Sequence, residues 1–257
     1  MLKAWRYTVF FLVCLTIALL FNLPLQQVLP HVQLPPQVQL AGVDGSVLKG
    51  SAQEIRIDGF PVRGLKYRYM PSCIPKLKVC YHLDYEQGEV QLAYDVLNGD
   101  TEVSRSDIEY PVNELMKLAP VPPLVKPTGR LQLQVEDLSL QQDRLMSVTG
   151  KLIWRDLGLD DSGIKIDIGD YVIDFNGDPE RYIFTISDLD AALQVQGEGS
   201  AYASGAFEVD IRIDARQGID PQVRTVLNAV ASRSGGNQYR VQQKGRLPRQ
   251  IAQQLFR

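Results

Sequence analysis

The chain has 257 residues, 45% of them hydrophobic and 22% charged, with 27 Lys and Arg against 30 Asp and Glu for a formal net charge of −3. This is the composition of a globular protein, and it argues against general nucleic-acid binding, which needs a basic surface. Two His and three Cys, without metal-ligand spacing, argue against chemistry built on histidine, cysteine or a structural metal.

The first element is an apolar run. Tyr7 to Phe21 is interrupted only by two Thr, and Ala4 to Leu25 is long enough to cross a bilayer. Lys3 and Arg6 stand on its N-terminal side, Trp5 suits the membrane interface, and no acid occurs before Asp44. The positive-inside rule then keeps the N-terminus cytoplasmic and exports the rest. Cleavage of a signal peptide wants small residues at −3 and −1, but the exit reads Leu20-Phe21-Asn22-Leu23-Pro24. Residues 1–25 are therefore expected to be an uncleaved anchor flanked by Lys3, Trp5 and Arg6.

Residues 26–40, with Pro30, Pro35 and Pro36, read as an extended spacer. A first β half is expected over 41–110 and a second over 129–257. Between them lies a Pro-rich connector at 111–128, in which Val112 to Leu118 suits a short helix begun by Pro111. Period-two alternation marks the strands. Leu65, Tyr67 and Tyr69 alternate with Lys66 and Arg68, and Leu77, Val79, Tyr81, Leu83 and Tyr85 form another run. Export to an oxidising compartment would let Cys73 and Cys80 pair, worth about 2–3 kcal/mol for so short a loop, while Cys14 stays free. Later, Leu131, Leu133 and Val135 oppose Gln132 and Gln134, and Ile164, Ile166 and Ile168 oppose Lys165 and Asp167. Phe207, Val209, Ile211 and Ile213 oppose Glu208, Asp210 and Arg212. Asn98-Gly99-Asp100, Asp161-Ser162-Gly163 and Asn176-Gly177-Asp178 supply the turns. A helix is expected after Asp220-Pro221, and an amphipathic one from Leu247 to Phe256.

The pattern predicts a mainly β fold: a single transmembrane helix, then an elongated, curled antiparallel sheet with a few short helices. Its apolar face must meet a second sheet, close into a barrel, or fold over as a trough. In a trough, Tyr94, Ile166, Ile173, Phe184 and Ile211 would line the groove.

No motif carries catalysis. Gly45-Ser46-Val47-Leu48-Lys49-Gly50 has the glycine spacing of a P-loop, but Ser51-Ala52 stands where Lys-Ser/Thr is required. His31 and His82 have no nucleophile in a recognisable motif beside them. Acid pairs such as Asp160-Asp161 and Asp188/Asp190 fit turns and the wet faces of strands better than a glycosidase or calcium site. No catalytic residue, metal ligand or cofactor is expected.

The order of the glycine-framed segments carries a resemblance. Leu40-Ala41-Gly42-Val43-Asp44-Gly45, closing at Gly50, is followed by Gly129-Arg130-Leu131-Gln132-Leu133 and Gly150-Lys151-Leu152-Ile153-Trp154. Gly169-Asp170-Tyr171, the segment from Gly197 to Gly205, and Gly245-Arg246-Leu247 come next. With the N-terminal anchor, this order resembles the type II secretion system protein N family. Val47-Leu48 and Tyr67/Tyr69 stand where that family usually carries Trp. The resemblance implies a non-enzymatic accessory component of the machine that exports folded periplasmic proteins across the outer membrane. It implies a single-pass protein of the cell inner membrane with its bulk periplasmic, other subunits of the system as partners, and no nucleic acid. The family is also akin to AsmA-like bridge proteins, so the alternative function is periplasmic lipid binding or transfer, with phospholipid as partner.

Overall fold

The computed structural model describes residues 5, 7–12, 15, 24–29, 38–57, 60–116, 126–141, 144–161, 164–215 and 221–247. The strands are β1 (Val38–Gly45), β2 (Lys49–Ile57), β3 (Phe60–Tyr69), β4 (Lys78–Tyr85), β5 (Gly88–Asp95), β6 (Thr101–Pro111) and β7 (Lys126–Gln141). They continue as β8 (Arg144–Asp161), β9 (Ile164–Gly177), β10 (Arg181–Ala191), β11 (Leu193–Tyr202), β12 (Ala206–Ala215), β13 (Ser232–Gly235) and β14 (Gln238–Arg246). They make one antiparallel sheet in which β1 to β12 follow chain order and β14 lies between β12 and β13. Where the connections are tight turns they fix antiparallel pairing of neighbours, because a parallel neighbour would need a long crossover. The order begins at β1 and ends at β13, so the sheet is not closed.

Helices are short: Leu25–Val28, Val112–Met116 and Pro221–Val230. Among the described residues no helix is long and apolar enough to cross a membrane. The anchor expected over 1–25 falls largely outside the described residues, including Lys3, Arg6 and Cys14. Trp5 and residues 7–12 and 15 are helical and exposed, with Trp5 at 72%. The helix expected after Leu247 also lies outside them.

Two compact units emerge, Met1–Ala93 and Tyr94–Arg257. The proline-rich connector does not mark the division between them. Strands β6 and β7 flank it and pair from Thr101↔Leu140 to Pro111↔Arg130.

In the first unit, alternation is broken on purpose at one level. Gly42 and Gly64 face Gln53 from either side, and their φ values are 63° and 65°. Glycine takes this left-handed conformation without a Cβ clash. The pleat slips there, so Leu40 and Ile55 share a wall with Val43, Ala52 and Leu65 despite the odd spacing. Cys73 and Cys80 are bonded, with S–S 2.00 Å and Cα–Cα 6.0 Å. The bond ties a 3-10 turn, Pro71–Lys76, to β4, where Cys80 is 2% exposed. The run expected to start at Leu77 starts one residue later. Leu77 has φ 56° and ends the turn with its side chain out, so the alternating strand begins at Lys78.

In the second unit the alternation becomes two unlike faces. One cross-strand row reads Ile108, Leu133, Leu152, Ile173, Ile186, Gly197, Ile211 and Val241, each paired with the next. The row beside it on the other face carries Asp107, Gln134, Lys151, Asp174, Thr185, Glu198, Asp210 and Gln242. The polar face is cross-linked. Gln132 and Gln134 donate to Asp107 at 2.8 and 3.2 Å, and Lys151 lies 3.4 Å from Asp174. Helix Pro221–Val230 covers one end of the apolar face with Val223 and Leu227. They pack into a core with Ile166, Tyr171, Leu193, Val195 and Tyr239.

Candidate functional site

The glycines of the sequence acquire a role once the register is known. Five aromatic side chains each lie over a glycine directly across the ladder: Tyr67 over Gly50, Phe175 over Gly150, Tyr182 over Gly177, Phe184 over Gly199 and Phe207 over Gly245. A Cβ at Gly199 would sit 2.3 Å from the Phe184 ring, and one at Gly150 2.7 Å from Phe175. The absent side chain is the space into which the ring folds, so flat aromatic surface covers backbone without burying deeply. Phe175, Phe184 and Val209 remain half-buried.

The second unit therefore keeps a half-buried apolar face. Ile173, Phe184 and Ile211 lie on this one face, with Ile173 and Ile211 in one row. Ile166 lies in the closed core under the helix, and Ile211 packs at its margin. Tyr94 stands apart on β5, 48% exposed. Trp154 belongs to the same face and its Nε1 donates to the Thr128 carbonyl at 3.0 Å. The Tyr171 hydroxyl donates to the Leu193 carbonyl at 3.1 Å, and burial pushes its pKa up, with Asp188 and Asp167 adding to the rise.

The first unit holds an apolar cavity of about 290 Å³ that periodicity does not reveal, because the slip at Gly42 and Gly64 is needed to assemble it. Leu40, Val43, Ile55, Leu65 and Leu83 line it, and Leu25 reaches its wall. Two phenols frame it and pin the β1–β2 turn. Tyr67 donates to the Ser46 carbonyl at 2.6 Å and Tyr81 to that of Val47 at 3.1 Å. Burial raises both phenol pKa values. The glycine-framed turn is thus a clamped hairpin, Gly45 opposite Gly50, and not a phosphate loop.

Among the described residues, polar groups do not converge on a reacting centre. A cleft of about 680 Å³ in the second unit is lined by amides, Arg212, Arg240, Asp188 and Asp214. Asp188 accepts from the Val195 N–H at 2.9 Å, as a turn-fixing acid does. Among the described residues no group of three or more His, Cys, Asp or Glu is placed to hold a metal ion. His82 lies 3.7 Å from Glu89, and His31 lies outside the described residues.

The described residues thus form an open antiparallel meander with a half-buried apolar face in the second unit and a disulfide in the first. A sequence model of type II secretion system (T2SS), protein N, matches residues 36–242, and the chain belongs to that family. No curated protein and no solved structure matches it. Membership makes the chain a component of type II secretion, associated with the cell envelope and with other subunits of that system. The family is a secretion accessory component and is not known as an enzyme.

Proposed function

We propose that the protein is a non-enzymatic accessory subunit held in the inner membrane by residues 1–25, with its β units in the periplasm, and that it supports export of folded proteins across the outer membrane. In this reading residues 26–40 are a spacer and the β units are the working part. The observation that carries it is the half-buried apolar face of the second unit. An uncovered face of this extent asks for a partner. The buried Cys73–Cys80 bond fits an oxidising compartment, and the exposed helical residues between Trp5 and Leu15 fit a lipid environment. Purification from detergent-solubilised inner membranes tests it. Other type II secretion subunits should copurify with the wild-type chain and be lost when Phe184 and Val209 are both changed to Asp. Retention of the same partners by that variant would remove the apolar face from the assembly.

A second reading, an AsmA-like lipid-binding bridge, has one observation in its favour. The apolar cavity of the first unit has Leu25 in its wall, at the end of the proposed span. In that reading the second unit's apolar face, bearing Ile173, Phe184 and Ile211, would be a lipid-contacting surface of its own. Mass spectrometry of the full chain purified in detergent separates the two, since a bridge should retain phospholipid and a scaffold should not.

A further inference from the structure

The sheet ends unequally. Strand β13 covers β14 only as far as the pair Ser232↔Arg240. On its other side β14 continues to pair with β12 through Val241↔Ile211 and Gln243↔Val209 to Arg246↔Ala206. From Val241 to Arg246, then, every second residue turns its backbone N–H and C=O to an edge that no described residue occupies. Such an edge is a template for another strand.

Its charge is as uneven. Residues 221–257 contain seven Lys and Arg and no Asp or Glu, in a chain whose acids outnumber its bases, 30 to 27. On β14 the polar face presents Arg240, Lys244 and Arg246. Arg240 is held by Asp210 and Lys244 by Glu208, but Lys244 remains 71% exposed. Arg246 has no ion-pair partner among the described residues. The other face of the edge continues the apolar rows through Val241.

We propose that the outer edge of β14, residues Val241–Arg246, binds an extended acidic segment of a partner protein by strand addition. Backbone groups would supply the ladder, carboxylates at alternate positions would meet Lys244 and Arg246, and apolar residues between them would extend the apolar face. Exposed Lys and Arg on an edge discourage neutral and basic strands, so the same residues set the selectivity. The inference rests on the geometry of the edge and stands whatever role the protein plays in secretion.

The test uses the full chain in detergent micelles with a short synthetic peptide of alternating Val and Glu. The peptide should bind and slow amide hydrogen exchange at alternate positions of Val241–Arg246. The same peptide N-methylated at alternate residues should not bind. Lys244→Gln with Arg246→Gln, which removes charge and leaves the backbone edge, should weaken binding about tenfold. Equal binding of the N-methylated peptide would overturn strand addition. So would slow exchange at Val241–Arg246 before any peptide is added, which would mean the edge is already paired. Protection by phosphatidylglycerol vesicles but not by the peptide would assign the basic edge to a lipid surface instead.

Discussion

Asp210 shows how much one position on the polar face carries. Sequence alternation directs it to water, and it is indeed on the polar face. There Arg240 donates to it from Nε at 2.8 Å and from its terminal nitrogen, and Gln242 donates at 3.2 Å. The Arg240 hydrogen bonds, chiefly, hold its carboxyl down at about 2. A depressed carboxylate stabilises the fold above its unfolded value, near 4, and the contribution is lost as pH falls through about 2. Denaturation of wild type and Asp210→Asn should therefore differ at neutral pH and converge between about pH 4 and pH 2. A gap that stays constant to pH 2 would contradict the pairing. Its neighbour Val209 faces the opposite way, over the apolar rows. Val209→Asp should cost about 2–3 kcal/mol in chemical denaturation, clearly more than Asp210→Ala. Equal losses would mean that the strand phase is wrong.

At the scale of elements, the disulfide and the helix are the two fasteners. Cys80→Ser frees the 3-10 turn from β4 and leaves a hydroxyl in a buried site. The first unit should lose about 2–3 kcal/mol, read as a shift in its unfolding midpoint. Leu227→Ala should cost about 2–5 kcal/mol by opening a cavity under helix Pro221–Val230. It should also speed hydrogen exchange in β11 near Leu193 and Val195. Strands, hairpin turns and both short helices at 112 and 221 were legible because period two and Pro- or Gly-marked ends are local signals. Local signals do not say which rows align. The aromatic-over-glycine pairs join residues such as Phe184 and Gly199 across strands, and the cavity of the first unit exists only because two left-handed glycines break the period. The groove residues show the same limit. Ile173 and Ile211 meet in one row, whereas Ile166 follows bulges at Gly169 into the closed core and Tyr94 stands on a different strand. The basic edge was readable from the acid-free stretch after Asp220, but only the register shows that it coincides with unpaired backbone.

At the scale of the molecule, an open sequential sheet has few ways to satisfy its apolar face, and the family to which the chain belongs works by assembly. On the proposed topology, a reporter fused after Arg257 should be active only if it functions in the periplasm. Cytoplasmic reporter activity there would invert the proposed orientation. The measurement that bears most directly on the proposed role is secretion itself. In cells lacking this chain, a folded substrate of the type II pathway should accumulate in the periplasm, and the wild-type chain should restore its release to the medium while the Phe184→Asp, Val209→Asp double variant does not. Undiminished release of that substrate without the chain would contradict the account.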